Sequence, residues 1–145
     1  MKYTQGSIGR VIVAKVEHGD DLLVELKGLL VKENIKSGVM LMIGALQKGA
    51  MVVGPRATAI PPDPTWKEFD NSREIVGIGT VFSDGDEPEI HLHAALGRGD
   101  GTLTGCIRKD AIVYLVVEVI ILEITGTNAV KLVDELTGLK FLKFL

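Results

Sequence analysis

The sequence contains a single cysteine, Cys106, and only three histidines among 145 residues. One cysteine cannot form a disulfide within the chain, which favours a reducing, cytoplasmic setting. An excess of positive charge is also lacking, since 16 lysines and arginines are set against 19 aspartates and glutamates, for a net charge of −3. This balance argues against a large basic surface for nucleic acid.

Segments that would direct the chain to a membrane are missing as well. Residues 1–6 contain no apolar signal region. The longest apolar run, from Ala111 to Ile124, is too short to span a bilayer as a helix, and it contains Glu118 and Glu123. We therefore predict no membrane association.

What the sequence does contain is typical of a globular protein. Apolar residues make up 46% of the chain and charged residues 24%, which excludes a disordered chain. A length of 145 residues is enough to bury a core and is most simply one domain. We predict a single domain over residues 1–145.

Two of the three histidines lie in one short segment, Glu89–Gly97. Apolar and other residues alternate there with a period of two, which predicts a strand. His91 and His93 then point to the same face, and two imidazoles one pleat apart can bind one metal ion. The alternative is that both are ordinary polar residues on a half-exposed face. Cys106, predicted on the next strand, favours a divalent transition-metal site, with zinc as the metal and one open position.

The register of these two strands decides whether Cys106 joins the histidines. If the turn is Arg98–Gly101, His93 lies directly opposite Cys106, and opposed residues share a face. A register slip of one residue would turn Cys106 to the other face. The glycine-rich turn leaves both registers open.

Glu118 is the second candidate for chemistry. It shares one face of a predicted long strand, Ala111–Ile124, with apolar neighbours, so its carboxylate should be paired or hydrogen-bonded. Either this face forms an oligomer interface or pocket, or it is partly wet. In a pocket, Glu118 is a candidate general base or fourth metal ligand.

Periodicity predicts one helix, from about Asp20 to Glu33 with Gly19 or Asp20 as its cap, and strands around it. Gly44, inside the apolar run Val39–Leu46, indicates a bulge or a close backbone approach. The remaining predictions are a turn at 47–49, a loop or irregular edge at 55–70, an acidic turn at 83–88, a hairpin at 108–110, a helical turn at 130–136 and a docked terminal strand at 139–145. The fold class is therefore α+β, with a largely antiparallel sheet and one principal helix. One helix cannot cover both faces of such a sheet, which predicts self-association.

The ordered series of motifs resembles the plant and prokaryote conserved (PPC) domain over roughly Arg10–Leu142. The matching segments are Gly9–Val11, Gly19–Leu23, Ser37–Leu46, Glu89–Ala94, Thr104–Cys106 and Glu118–Val119. The resemblance implies a compact α+β subunit and a homotrimer. It also implies a site of three histidines, in which Cys106 takes the third place here.

In plants, this domain accompanies AT-hook motifs that hold DNA, while the domain itself assembles subunits and contacts other proteins. The AT-hook core Arg-Gly-Arg-Pro is absent from this sequence. Three functions remain open. The first is a trimeric binding or assembly module with a metal site at His91, His93 and Cys106. The second is a metal-dependent enzyme that uses these ligands and Glu118, and the third is a DNA-associated regulator that acts through partner proteins.

Overall fold

The computed structural model describes residues 1–85 and 87–145 and confirms the α+β class, with a largely antiparallel sheet and one helix. In chain order the elements are β1 (Ser7–Glu17), α1 (Leu22–Lys32), β2 (Ser37–Pro55), β3 (Pro64–Phe69), β4 (Arg73–Asp84), β5 (Glu87–Arg98), β6 (Gly101–Thr125), β7 (Ala129–Val133) and β8 (Lys140–Phe144). Asp86, in the predicted acidic turn, lies outside the described residues. No helix in the described part of the chain is long and apolar enough to cross a membrane.

Six strands form one sheet in the order β1-β6-β5-β4-β2-β3, and every pairing between them is antiparallel. A further pairing of β2 with β6 closes a ring, because β2 also pairs with β4, β4 with β5, and β5 with β6. β7 and β8 form a separate two-stranded sheet. The long strand β6 therefore contacts β5 and β2 in its first half and β1 and β2 in its second half.

The N-cap of α1 lies one residue beyond Asp20, the later of the two predicted caps. Asp21, and not Gly19 or Asp20, is the N-cap, and its carboxylate accepts hydrogen bonds from the backbone N–H groups of Leu23 and Val24. The apolar stripe lies against the sheet and is buried: Leu22, Leu26 and Leu30. The helix thus covers one face of the sheet only.

Two predicted chain reversals are wrong. Residues 47–49 continue β2, and residues 108–110 continue β6. The polar residues there occupy irregularities of the β2–β6 pairing, where the register shifts between Leu46 and Lys48 and again before Met51. Asp110 has a positive φ of 55°, a conformation typical of turns. A residue in a bulge can adopt this conformation without reversing the chain. Residues typical of turns therefore did not distinguish a bulge from a chain reversal.

The predicted helical turn at 130–136 is also wrong, because β7 ends at Val133 and only the residues after it turn. The predicted terminal strand is confirmed as β8, which pairs with β7. Within the predicted loop or irregular edge at 55–70, β3 forms the edge of the sheet. Phe69 of β3 is buried, whereas Trp66 is 49% exposed and faces a cavity.

The prediction of a bulge or close approach at Gly44 is confirmed on both counts. The β2–β6 register shifts between Gly44 and Ala45. A Cβ atom on Gly44 would lie 2.2 Å from the carbonyl oxygen of Val116, and the residue has a φ of +140°. Only glycine fits such a position without strain.

The face of the sheet opposite α1 exposes a continuous apolar surface across four strands. The registers place its members side by side, as Val13 opposes Ile120, Ile120 opposes Leu41, and Leu41 opposes Ile78. We call it the apolar face, and it comprises Val11, Val13, Leu41, Ile43, Val76, Ile78 and Ile120. Contiguous apolar surface of this kind is a candidate for an interaction surface.

Candidate metal centre

His91, His93 and Cys106 come together on the outer face of β5 and β6. Their ligand atoms all lie within 4.8 Å of one another, and the Nε2 atoms of the two histidines are 3.1 Å apart. Ligand atoms around a tetrahedral zinc ion lie about 3.3–3.6 Å apart, given metal–ligand bonds of about 2.0–2.3 Å. The separation of the two nitrogens is close to that value, so the group fits a metal ion.

Strand geometry explains why the two histidines share this face. Along β5 the exposed His91 and His93 alternate with the buried Leu92 and Ala94. The core holds the apolar residues, so the imidazoles must point outward. Cys106 is directly opposite His93, and Arg98 is opposite Gly101. Of the two registers that the sequence left open, the structure has the one that brings Cys106 to the histidines.

The neutral state of His91 suits metal binding, whereas the protonated state of the Cys106 thiol opposes it. Desolvation by surrounding protein atoms lowers the pKa of His91 to about 4, with further lowering by the positive charges of Lys131, His93 and Arg108. At neutral pH this imidazole is therefore neutral and can donate its lone pair. Burial raises the pKa of the Cys106 thiol, although Arg108 and Lys131 act in the opposite direction. A metal ion must then displace the thiol proton.

Two cations flank the three candidate ligands. Arg108 is exposed and lies on β6 two residues beyond Cys106. Lys131, on β7, is only 8% exposed, and burial lowers its pKa. Among the described residues neither one forms an ion pair. Positive charge therefore predominates around the site, and Glu89 is the carboxylate near Lys131.

Two cavities lie on either side of the ligand group. The larger, of about 820 Å³, is lined by His93 and Cys106, and Trp66 of β3 forms part of its wall. The smaller, of about 500 Å³, is lined by His91 and Lys131. Arg108 lines both cavities, so this side chain stands at their boundary.

Glu118 is not part of this group. It lies in the second half of β6, opposite Lys15 of β1 and Ile43 of β2. On the outer face, β2 and β4 lie between it and the histidine strand. Glu118 instead borders the apolar face, beside Val13 and Ile120. Glu118 therefore lines a cavity of about 520 Å³ at the apolar face and lies away from the three candidate ligands.

Sequence reasoning missed Arg108 and Lys131. The period of two that places Cys106 outward also places Arg108 outward, but the predicted hairpin at 108–110 interrupted that pattern. No sequence pattern places Lys131 at the site, because β7 is positioned by tertiary contacts with β4 and β8. For Trp66, the proline-rich surroundings favour a residue that anchors a loop to the body of the protein over a residue with a binding role.

The model of the Plants and Prokaryotes Conserved (PCC) domain matches residues 3–125. None of the curated proteins matches the chain significantly.

Solved structures share the fold over the whole length. A metal-containing protein from Archaeoglobus fulgidus has a TM-score of 0.85 at 23% identity, with 100% of this chain and 99% of that chain covered. A plant- and prokaryote-conserved protein from Pyrococcus horikoshii has a TM-score of 0.84 at 24% identity, with the same coverage. A candidate DNA-binding protein from Bacteroides thetaiotaomicron has a TM-score of 0.79 at 21% identity, with 97% and 99% covered.

Proposed function

The chain belongs to the Plants and Prokaryotes Conserved (PCC) domain family, and we propose that it is a homotrimeric binding module with one zinc site per subunit. The ligands are His91, His93 and Cys106. The observation that carries the proposal is the convergence of these three side chains from two paired strands, with their ligand atoms within 4.8 Å of one another.

The donor set favours zinc among the divalent transition metals. Two imidazoles and one thiolate make a mixed nitrogen and sulfur site, which Zn²⁺ binds in tetrahedral geometry. Three protein ligands leave a fourth position for water or a bound molecule. The similarity to a metal-containing protein of the same fold supports the presence of a metal and leaves its identity to experiment.

Self-association is supported by the apolar face. Seven exposed aliphatic side chains lie on four neighbouring strands, and a monomer would leave them all in water. Covering such a surface with a second copy of the chain removes apolar area from water, which is the main driving force of association. Three copies arranged around a threefold axis would cover every copy of this face in a closed ring.

Direct DNA binding is not part of the proposal. The net charge of −3 opposes the phosphate contacts on which such binding depends. In the alternative of a metal-dependent enzyme, Glu118 was the candidate acid–base group, and two strands separate it from the histidines on the outer face. The binding function therefore has the stronger support from the geometry.

Metal content tests the proposal. Elemental mass spectrometry of untagged protein should find about one zinc per chain in the wild type and less than a tenth of that in His91→Ala, His93→Ala and Cys106→Ala, because two remaining ligands hold zinc weakly. His18→Ala is the matched control, since His18 is the third histidine of the chain and is also exposed. It should retain its zinc. No metal in the wild type after zinc is added would refute the proposal.

The number of protons released distinguishes the three ligands from adventitious binding. Because burial raises the pKa of Cys106, zinc binding at pH 8 should release about one proton per chain from the thiol, in addition to any proton lost by zinc-bound water, in an unbuffered calorimetric or pH-stat titration. Cys106→His restores three imidazoles, which bind as neutral groups. This variant should still bind zinc but release about one proton fewer than the wild type, and equal release by both proteins would contradict thiolate ligation.

A further inference from the structure

The cavity of about 820 Å³ beside the metal ligands is large enough to hold a small molecule and has two chemically different walls. Its volume lies within the range of about 300–1,000 Å³ that is typical of ligand sites. One wall is apolar and includes Val52, Pro62, Pro64 and Trp66. The other part of the lining carries His93 and Cys106 together with Arg108 and Lys109.

The charge of the polar wall has one sign. Arg108 and Lys109 are its ionisable side chains besides the two metal ligands, and among the described residues no aspartate or glutamate lines the cavity. Lys109 contributes to both walls, because its Nζ lies 6.0 Å from the centre of the Trp66 ring. A cavity with two cations and no carboxylate favours an anion.

Lys131 adds a third cation on the other side of the ligand group. This side chain is 8% exposed, forms no ion pair among the described residues, and lines the smaller cavity together with His91, Arg108 and Glu89. Burial lowers the pKa of Lys131, and the nearby Glu89 carboxylate raises it. The larger cavity has no such carboxylate among the described residues, so the charges of Arg108 and Lys109 there favour an anionic ligand.

We propose that the larger cavity binds a small carboxylic acid with an apolar body. The carboxylate is held by Arg108 and by the open position of the metal, and the body lies against Trp66 and the prolines. Lys131 contributes positive potential from the other side of the ligand group. This inference rests on the proposed metal site only for the contact between the carboxylate and the metal. The contacts with Arg108, Trp66 and the prolines need no metal.

Trp66 is the only tryptophan of the chain, so its fluorescence reports occupancy of the cavity. We would titrate phenylacetate, its neutral analogue phenylacetamide, and acetate into zinc-loaded protein and into the metal-free His91→Ala variant. Phenylacetate should change Trp66 fluorescence and bind at least about tenfold more tightly than phenylacetamide, since a hydrogen bond to a charged group contributes that much. Acetate should bind more weakly than phenylacetate, because it lacks the apolar body.

Arg108→Gln and the matched control Arg98→Gln separate a specific contact from general charge. Arg98 is an exposed arginine that lines neither cavity. Arg108→Gln should weaken phenylacetate binding about tenfold and leave phenylacetamide unchanged, whereas Arg98→Gln should change neither. Equal affinity for the acid and the amide, or an Arg108→Gln variant that binds like the wild type, would overturn the inference.

Zinc content measured on the same samples keeps the two proposals apart. If the protein holds one zinc per chain and phenylacetate does not bind, the inference fails while the metal site stands. If no zinc binds, the metal site fails, and the comparison of acid with amide on metal-free protein still decides whether Arg108 recognises a carboxylate.

Discussion

Replacing Gly44 by alanine should lower the free energy of unfolding by roughly 2–6 kcal/mol. The φ of +140° imposes a backbone strain of about 1–3 kcal/mol on any other residue. The new Cβ would also lie 2.2 Å from the carbonyl oxygen of Val116, and overpacking of this kind costs a further ~1–3 kcal/mol. The contact is with backbone, so it is relieved only if β2 and β6 separate.

Urea unfolding and thermal unfolding measure this loss. For a chain of this size the melting temperature should fall by roughly 5–20 °C, at about 2–4 °C per kcal/mol. Gly54→Ala is the matched control, because Gly54 has a φ of +135° and a Cβ added there would have no atom within 4 Å. It carries the backbone strain without the contact. An equal loss of unfolding free energy in both variants would show that the close contact between β2 and β6 at Gly44 contributes nothing to the destabilisation.

Replacing Ile43 by aspartate should convert the proposed trimer to monomers. Ile43 is 57% exposed on the apolar face and lies opposite Val76 on one side and Glu118 on the other. An unpaired carboxylate inside an interface loses its hydration at a cost of several kcal/mol, and the neighbouring Glu118 adds repulsion between like charges. Light scattering should give three times the 15.6 kDa of the chain for the wild type and a single chain for Ile43→Asp.

Val24→Asp provides the control for this experiment. Val24 is 64% exposed on α1, on the opposite side of the sheet, so its substitution should leave the mass unchanged. Ile43→Asp should still bind zinc, because all three ligands belong to one chain, and retained zinc shows that the variant is folded. A monomeric wild type would refute the trimer, and a trimeric Ile43→Asp would place the interface on another surface.

The candidate metal ligands and the apolar face lie on one outer surface of the sheet, and the registers connect them. His93 opposes Ile78, and Ile78 opposes Leu41 at the middle of the face. On the other side His93 opposes Cys106, and Cys106 opposes Val52 of the cavity wall. Assembly at the apolar face would therefore bring a neighbouring subunit close to the metal site, which links the two parts of the proposed function.

Local patterns predicted the parts of the fold that local physics controls. The stripe of leucines in α1 follows from the helical period, and the outward direction of His91 and His93 follows from the strand period. Gly44 was recognisable because a glycine weakens the interior of an apolar strand unless a bulge or a close backbone approach requires it. Each of these inferences needed only residues within one element.

Turn-like segments were predictable only in part. Residues 47–49 and 108–110 are polar or glycine-containing, as reversals are, yet they form bulges in two strands that bend together. Whether such a segment reverses or merely bends depends on the partner strand, and that partner is distant in sequence. The same reason explains why Val130–Val133 was predicted as helical, since its pairing with β8 is what makes it a strand.

The sequence by itself determined the α+β class, the paired histidines and the candidate thiol. Only the tertiary structure decided that Cys106 faces those histidines, since strand register depends on hydrogen bonds between segments and not on either segment alone. It also decided that Glu118 lies elsewhere and that Arg108 and Lys131 flank the site. The alternation within a strand is a local property, whereas the positions of side chains on different strands are set by how the whole sheet closes.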